Sequence, residues 1–492
     1  MKSWTPTLLL WLKTRDATLQ LNALRALRAI SDVSGENFSQ VTFEWLHYLL
    51  RSTRNLNDNE TKKATRAVER AVAMFARPIA AADEPVHLLD NDGWMEVGEW
   101  AETDDEALQA LATKAIAMVA KHEMSGRRFV RDGGLDLLSR FAKDNSPRVQ
   151  KQVARAIANI AVVEDNRLVL HQGEWRSLLQ KWAGASDSKV RFNAQRALAN
   201  MKASVGGPVY RDGIFLVSPA PGVPREVAGD VVFIHGLQGG AFRTWGDRHG
   251  RFWPEWVGQD MSNLRVLTIN YTAHVSSFRG GEGHSVKRQA ETIRCLLRDA
   301  GVGSRPVVFV THSMGGLLAK QLLSPEENRN DRTLQDLQRR TRGVVFFSTP
   351  HRGSWLASLG KISPVPASEA VKDLYPDSSE LAQLDLAFQR LRKHTLAFGE
   401  AESTPLSPGV SVRVVNEESA NPGYGEYVQI PMSNHFNICK PPHREAVGYA
   451  HTLSFLRRTL FPKDRPSLAG LDNLIQFPLA GKIAAFFESW KQ

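Results

Sequence analysis

The sequence is poor in cysteine and has no long apolar run, and each scarcity excludes a class of protein. Only Cys295 and Cys439 occur among the 492 residues, so we expect neither a disulfide framework nor a cysteine-based zinc site. The same count favours a reducing or redox-neutral compartment. The longest apolar runs, such as TLLLWL and VVFFS, are far shorter than the roughly 20 residues of a membrane-spanning helix. Membrane contact is therefore expected at the surface, or through a segment absent from the chain.

The charge balance is basic, with 62 Lys and Arg residues against 52 Asp and Glu and a formal net charge of +10. Such a balance favours anionic partners, either lipid head groups or nucleic acid. Because no stripe of basic residues is interleaved with aromatics, we expect no nucleic-acid partner. The length predicts two or three domains rather than a single core.

An internal repeat occupies the first 200 residues. The segments KAIAMVA, RAIANIA and RALANM begin at Lys114, Arg155 and Arg196, each 41 residues after the one before. A period near 40 residues is typical of armadillo and HEAT units, whose helices bury their apolar faces only when neighbouring units stack. We therefore predict an all-α armadillo/HEAT-like solenoid over residues 1–203, followed by a Gly- and Pro-containing linker at 204–213.

Beyond the linker, short β-branched and aromatic runs alternate with helical segments. In chain order these runs are DVVFIHG, RVLTINY, RPVVFVTHS, GVVFFSTP, GVSVRVVNEES and EYVQIP. Continuous apolar strands separated by helices indicate a mostly parallel sheet covered on both faces. We place this domain at residues 214–462. The long connection at 355–408 is expected to form a cap with an amphipathic helix, and residues 463–492 a tail or surface helix.

Ser313 occupies the position expected of a nucleophile. In RPVVFVTHSMGGLLAKQLL, residues 305–323, a predicted strand ends, the serine follows, and an amphipathic helix begins. This is the order of a nucleophile elbow, G-x-S-x-G between strand and helix, with Thr311 in place of the first glycine. A serine hydroxyl is a poor nucleophile at neutral pH, so it requires a base, and the base requires a group that fixes its tautomer.

The base and the acid are expected after the serine, in loops that follow late strands, since folds with such an elbow run in the order Ser, acid, His. Glu417 and Glu418 lie in VVNEESA, and His435 lies in QIPMSNHFNICK, after the last predicted strand. We predict that His435 takes the proton of Ser313 and that Glu418 orients His435. Glu417 is the reserve acid.

An oxyanion that develops on the substrate requires preorganised N–H donors. The N–H of Met314, directly after the serine, is one candidate, and that of Leu237 in the glycine-rich FIHGLQGG is the second. An ordinary strand-to-helix turn is the alternative for that segment. Phe242, Trp245 and Trp355 are candidates for lining an acyl-chain groove, and packing of a helix against the sheet would explain them equally well.

Together these motifs resemble a known family. DVVFIHGLQGGAFRTW, GVGSRPVVFVTHSMGGLLAKQLL, GVVFFSTPHRGS, VVNEESANPG and SNHFNICKP are similar to the serine-active-site-containing hydrolases linked to phosphatidylglycerol remodelling. That family belongs to the wider group of lipase-like and GPI inositol-deacylase-like α/β-hydrolases. The resemblance covers residues 209–462, and helical repeats before the hydrolase agree with the family layout. It implies the α/β-hydrolase fold, with Ser313, Glu418 and His435 at the catalytic positions.

The resemblance also implies a function. The expected activity is that of a serine carboxylic-ester hydrolase or transacylase that remodels a glycerophospholipid such as phosphatidylglycerol through an acyl-enzyme, with no metal or cofactor. The expected setting is an anionic membrane surface of the mitochondrion or endoplasmic reticulum. Two alternatives stay open: a non-catalytic scaffold whose solenoid binds a protein partner, or a protein depalmitoylase or other thioesterase.

Overall fold

The computed structural model of the protein describes residues 106–220, 226–247, 249–271, 285–324, 332–353, 378–407 and 410–462. The repeats expected before residue 106, the first part of the expected cap with Trp355, and the tail at 463–492 lie outside these residues. The described chain has two packed parts, which we name the repeat region (106–203) and the sheet region (210–462).

The repeat region is a stack of helices whose period is that of the sequence. Its described helices are α1 Glu106–Val119, α2 Glu123–Arg131, α3 Gly134–Phe141, α4 Pro147–Ile160, α5 Glu164–Gln172, α6 Trp175–Trp182 and α7 Ser188–Met201. The 14-residue helices α1, α4 and α7 begin 41 residues apart, and a shorter pair separates each from the next. The predicted armadillo-like solenoid is confirmed for this part of the chain.

Recurring polar residues start the long helices and join one unit to the next. The side chains of Ser146 and Asp187 accept hydrogen bonds from first-turn N–H groups of α4 and α7, which caps both helices. The side-chain amide of Asn159 in α4 donates to the carbonyl of Ala117 in α1 at 2.7 Å. Asn200, 41 positions later, makes the corresponding bond to α4 at 2.9 Å. The buried hydrogen bonds between units therefore recur from one repeat to the next, as the apolar faces do.

A seven-stranded sheet lies at the centre of the sheet region. Its strand order is β1-β3-β2-β4-β5-β6-β9, with β1 antiparallel and the others parallel. The strands are β1 Ile214–Ser218, β2 Gly229–Ile234, β3 Leu264–Ile269, β4 Val307–His312, β5 Thr341–Phe347, β6 His394–Glu400 and β9 Glu426–Ile430. A separate antiparallel pair is formed by β7 Thr404–Ser407 and β8 Val410–Val412. Every residue of β2, β3 and β4 is buried, as expected for parallel strands covered on both faces.

Helices cover both faces of the sheet. One face packs against α9 Val286–Asp299, α10 Met314–Leu322, α11 Arg332–Arg340 and α12 Ser379–Arg390. The other packs against α8 Trp253–Asp260 and α14 Val447–Leu460, and a short helix, α13 Glu417–Ala420, precedes β9. This arrangement confirms the predicted fold class, a mostly parallel sheet with helices on both faces after an all-α solenoid.

The two regions meet at a buried joint between α7 and β1. Phe192 of α7 stacks on Phe242 of the sheet region at 5.4 Å between ring centroids. Asp212 contacts the guanidinium groups of Arg155 at 2.6 Å and Arg196 at 3.5 Å. Burial alone would raise the pKa of Asp212, but these two arginines hold it well below its usual range. Arg211, also in the segment predicted as a linker, pairs with Asp299 of α9, so that segment is packed against both regions.

The chain between α12 and α13 differs from the prediction. The range expected as a cap, 355–408, includes β6, a strand of the main sheet. The segment GVSVRVV, expected as a strand of that sheet, contributes only the three-residue β8 to the small pair. The physical reason is that α12 ends near Arg392, whose φ is 49°. This backbone turns the chain out of the helix, and HTLAFGE then forms a buried strand of the main sheet rather than part of a cap.

Candidate active site

Ser313 lies on the sharp turn between β4 and α10 that the motif predicts. Its φ of 54° and ψ of −128° place it in a strained region that recurs at functional sites. A Cβ atom added to Gly315 would lie 2.5 Å from the carbonyl oxygen of His235, so only glycine fits beside the elbow. The N–H of Ser313 donates to the carbonyl of Phe347 at 2.9 Å, which fixes the turn against the end of β5.

The structure brings His435 to the serine. Its Nε2 atom is 3.1 Å from Oγ of Ser313, although 122 positions separate the two residues. The N–H of His435 donates to the hydroxyl of Thr404 at 3.0 Å, and its carbonyl lies 2.9 Å from Nε2 of His312. Burial is the largest cause that lowers the pKa of His312 far below its usual range. The ring is therefore neutral, and its Nε2–H donates to the carbonyl of His435. The backbone of His435 is thus held on both sides.

A buried carboxylate faces the other nitrogen of His435, and it belongs to Glu400. Oε2 of Glu400 is 3.4 Å from Nδ1 of His435, with the carboxylate fully buried. Its other oxygen accepts the N–H of Val415 at 2.6 Å. The hydroxyl of Ser348 lies 3.2 Å from Nδ1 and is its hydrogen-bond partner in this structure, whereas Oε2 of Glu400 is within ion-pair distance but has no hydrogen bond among the described residues. Such contacts are often long before substrate binds and tighten afterwards.

The expectation that Glu418 orients His435, with Glu417 in reserve, is not met by this geometry. Both glutamates are exposed on α13, and the carboxylate beside His435 is that of Glu400. The buried residues of that helix are Ser419 and Ala420, and the hydroxyl of Ser419 donates to the carbonyl of Gly353 at 2.6 Å. The signal for Glu400 was present in HTLAFGE, an apolar run that ends in an acid and precedes the histidine in chain order.

The two predicted oxyanion donors lie close to the serine. A Cβ atom on Gly236 would be 2.6 Å from Cβ of Ser313, so the peptide between Gly236 and Leu237 passes directly beside the nucleophile. Met314 is the first residue of α10, where N–H groups have no partner within the helix. Within the described segments, neither the N–H of Leu237 nor that of Met314 has an acceptor.

His235 fixes the orientation of the first of these peptides. Burial lowers its pKa to about 4, so the ring is neutral near pH 7. Its Nδ1 lies 2.8 Å from the carbonyl of Gly236, and its Nε2 faces the N–H of Tyr271 at 3.4 Å. Because the C=O and N–H of a trans peptide point in opposite directions, holding the Gly236 carbonyl sets the direction of the Leu237 N–H. No motif in the sequence marks this role of His235.

Two of the candidate substrate-lining aromatics pack elsewhere. Trp245 is 1% exposed and lies edge-on to Phe233 and Trp253 beneath the sheet. Phe242 is at the joint with the repeat region, stacked on Phe192. The packing alternative is therefore correct for both, and the groove-lining expectation is wrong for them. Trp355 lies outside the described residues.

Two apolar side chains are exposed in the loop that carries His435. Met432 is 81% exposed and Phe436 is 57% exposed, and these residues flank His435 in the loop after β9. In the described part of the chain, no group of three or more His, Cys, Asp or Glu side chains is placed to hold a metal ion. Of the helices among the described residues, none combines the length and the apolar character needed to cross a membrane.

The chain matches two family models. Residues 231–453 match the alpha/beta hydrolase family, and residues 128–162 match the armadillo/beta-catenin-like repeat. The chain is 31% identical to Protein SERAC1 of Danio rerio over 73% of its own length and 34% identical to that of Mus musculus over 67%. It covers 58% and 54% of those proteins, respectively. The resemblance inferred from the motifs is thus confirmed.

The similar solved structures include one named as a lipase and one named as a phospholipase. Lipase BlEst2 of Bacillus licheniformis has a TM-score of 0.36 at 18% identity, over 50% of this chain and 97% of that one. Phospholipase PlaB of Legionella pneumophila has a TM-score of 0.35 at 14% identity, over 48% and 59%.

Proposed function

We propose that the protein, whose residues 231–453 match the alpha/beta hydrolase family, is a serine hydrolase that cleaves or transfers the acyl group of a lipid ester. The observation that carries the proposal is the connected set Ser313, His435 and Glu400. Nε2 of the imidazole is 3.1 Å from the serine hydroxyl and Nδ1 is 3.4 Å from the carboxylate. This is the order of contacts that nucleophilic catalysis by serine requires.

In the acylation step, Oγ of Ser313 attacks the ester carbonyl while Nε2 of His435 takes its proton. The carboxylate of Glu400 stabilises the imidazolium that forms and keeps the N–H on Nδ1. The carbonyl oxygen becomes an oxyanion, which the N–H groups of Leu237 and Met314 stabilise by about 3–4 kcal/mol each in comparable sites. The tetrahedral intermediate then expels the alcohol of the ester, which receives the proton from Nε2.

The acyl-enzyme is resolved by a second attack through the same groups. Water, or the hydroxyl of an acceptor lipid, gives its proton to Nε2 of His435 and attacks the acyl carbon. Collapse of the second oxyanion releases the acyl product and returns the proton to Oγ of Ser313. Attack by water gives hydrolysis, and attack by a lipid hydroxyl gives transacylation.

A lipid substrate is supported by the surroundings of the site and by the resemblance to phosphatidylglycerol-remodelling hydrolases. Met432 and Phe436, in the same loop as His435, expose apolar side chains, which suits contact with an acyl chain. The formal charge of +10 suits an anionic head group at a membrane surface. We propose phosphatidylglycerol as the substrate and, from the same resemblance, a mitochondrial or endoplasmic-reticulum membrane as the setting.

The test is an assay of the purified protein on vesicles of phosphatidylglycerol or phosphatidylcholine, with an acyl thioester as a third substrate. We expect lysophospholipid to appear with either free fatty acid or a newly acylated lipid, and phosphatidylglycerol to react faster than phosphatidylcholine. Ser313→Ala should abolish the products. The matched control Ser304→Ala, at an exposed loop serine, should leave them unchanged.

Other outcomes contradict the proposal. If folded protein cleaves none of these substrates, the non-catalytic scaffold is favoured. If it cleaves the thioester and neither phospholipid, the protein is a thioesterase, and the lipid part of the proposal is wrong.

A further inference from the structure

A second polar cluster, with two buried and two half-buried side chains, is not used by the chemistry described above. Its centre is Lys320 on α10, with a side chain that is 1% exposed. The ammonium contacts a carboxylate oxygen of Asp385 and lies 2.6 Å from Nδ1 of His351. The hydroxyl of Tyr424 donates to the same oxygen of Asp385 at 2.7 Å. We name these four residues the lysine cluster.

Aromatic rings enclose the rest of the ammonium. The Nζ atom of Lys320 is 5.5 Å from the ring centroid of Phe346, 5.6 Å from that of Phe388 and 5.9 Å from that of Tyr424. Each distance is within the range of a cation–π contact. A buried ammonium with one carboxylate and three rings around it is held in a single position.

The partners of Lys320 come from the segments that carry the active-site groups. Lys320 lies on α10, which begins directly after Ser313. His351 lies in the loop after β5, three residues beyond Ser348, whose hydroxyl contacts His435. Asp385 is on α12, which leads into β6 and Glu400 at its end.

The fourth partner completes the set. Tyr424 lies in the loop before β9, and His435 follows that strand. The lysine cluster therefore joins the four chain segments from which the serine, the histidine and the carboxylate reach the site, although it contacts none of those three groups.

We infer that Lys320 is a positioning residue, whose ammonium holds these four segments in the arrangement that keeps Ser313, His435 and Glu400 in contact. The inference rests on the proposed function, because it concerns the same three groups. It assigns to Lys320 an effect on the rate of the serine's reaction and no direct role in proton transfer. The positive charge is essential to that effect, since an uncharged side chain would leave the carboxylate of Asp385 without its buried counter-charge.

The charge of Lys320 makes the effect dependent on pH. Burial lowers the pKa of Lys320 to about 8, against the opposing influence of Asp385. Burial is the largest cause that lowers the pKa of His351 far below its usual range, and the charge of Lys320 is the second. The ring is therefore neutral, and its Nδ1 accepts a hydrogen bond from the ammonium. Burial raises the pKa of Tyr424, which keeps its hydroxyl protonated. Lys320 is thus protonated below about pH 8 and loses its charge above it, and reactivity should fall as the pH rises through that value.

The experiment measures the rate at which a fluorophosphonate probe labels the folded protein between pH 6 and 10. For wild type we expect labelling with an alkaline decline centred near pH 8. Lys320→Met should label on the order of ten- to a hundredfold more slowly at pH 7 and should lack the decline. Lys202→Met, at an exposed lysine that follows α7, is the matched control and should label as wild type does.

Asp385→Asn provides a second variant if Lys320→Met unfolds. It keeps the shape of the side chain and removes the negative charge that raises the pKa of Lys320. The alkaline decline should therefore move to lower pH. A merely structural role for the cluster would lower labelling equally at every pH and leave the decline in place.

The outcomes separate the two proposals. Suppose that wild type is labelled and that either variant, Lys320→Met or Asp385→Asn, has the wild-type pH profile, whether at the wild-type rate or at a uniformly lower rate. The inference is then wrong and the proposed function stands. If folded wild type does not label at all, the proposed function fails, and the inference fails with it.

Discussion

The repeat region and the sheet region both bury polar side chains, but the sequence separation between hydrogen-bonded partners differs greatly between the two regions. In the repeat region, Asn159 and Asn200 each bond to a carbonyl 42 positions earlier, with the same residue type in successive units. In the sheet region, His435 bonds to Ser313 across 122 positions, and its other neighbour is a glutamate. The first pattern repeats along the sequence and the second occurs once.

This difference separates stability from reactivity. A stack of repeats is stabilised by each unit and its nearest neighbours, so losses there are graded. The site requires that three chain segments place their side chains correctly at the same time. Catalytic groups that act as a unit lose most of the activity when any one of them is removed. We therefore expect substitutions in the sheet region's site to change rates with little change in stability, and the reverse in the repeat region.

The largest effect is expected at Glu400. Glu400→Gln keeps the shape of the side chain but removes the charge that stabilises the imidazolium and holds the proton on Nδ1. Comparable changes reduce kcat about 10⁴-fold. Hydrolysis of a short-chain nitrophenyl ester by the folded variant measures this loss.

The exposed Glu418 is the matched control for that substitution. Glu418→Gln should leave kcat and KM within about twofold of wild type, since surface substitutions have small effects. If Glu418→Gln removes activity and Glu400→Gln retains it, the assignment of the acid is wrong.

The next largest effect is expected at the joint, as a loss of stability. Asp212→Ala leaves the guanidinium of Arg196, which is fully buried, without its carboxylate. Removal of one partner of a buried pair costs about 3–5 kcal/mol. Urea unfolding should show a lower midpoint at an unchanged slope, whereas Asp165→Ala, in an exposed pair with Arg127, should lose about 1 kcal/mol or less.

The same variant has a signature in pH. The pKa of Asp212 is depressed in the folded protein, so its contribution is present above its ordinary value and is lost as pH falls toward the lowered folded value. The difference in unfolding free energy between wild type and Asp212→Ala should therefore shrink in acid. A difference that is constant or grows with falling pH would contradict the ion-pair account of the joint.

A smaller loss of rate is expected at Gly236. In Gly236→Ala the added methyl would lie 2.6 Å from Cβ of Ser313, so the peptide that carries the Leu237 N–H must move. Loss of one oxyanion donor lowers kcat about 10²- to 10³-fold. KM should change little, and Gly184→Ala, where a methyl meets only an ordinary contact at 3.6 Å, should leave the rate unchanged.

The smallest effect is expected between repeats. Asn159→Ala leaves the buried carbonyl of Ala117 without its donor, which costs about 1–3 kcal/mol. Thermal or urea unfolding measures the loss. The kcat of the folded variant should equal that of wild type, and a fall in kcat at unchanged stability would break the separation between the two regions.

The same contrast explains how much could be predicted from sequence. The repeat helices follow from a local period of 41 residues, because capping and apolar spacing recur in every unit. Ser313 and His435 could be found because the elbow motif and the chain order constrain them. Glu400 also satisfies that chain order, but so do Glu417 and Glu418, which lie nearer to the histidine in the sequence. The strand that ends at Glu400 is hard to foresee, because α12 ends at Arg390 and the left-handed backbone of Arg392 is not announced by its residue type.

Trp245 illustrates a second limit. An aromatic residue after a glycine-rich turn has the same sequence pattern whether it lines a groove or fills a core. Only its contacts with Phe233 and Trp253 decide between the two. Residues whose role depends on partners far along the chain are therefore the ones that sequence patterns leave open.

The central claim, that Ser313 is the nucleophile, is tested most directly by locating the covalent adduct of a fluorophosphonate probe. Ser348 provides a built-in alternative, since its hydroxyl also lies within 3.2 Å of His435. After labelling, digestion and mass spectrometry, the adduct should be found on Ser313 in wild type and be absent from Ser313→Ala. An adduct on Ser348 or any other serine, or no adduct on the folded wild-type protein, would contradict the account.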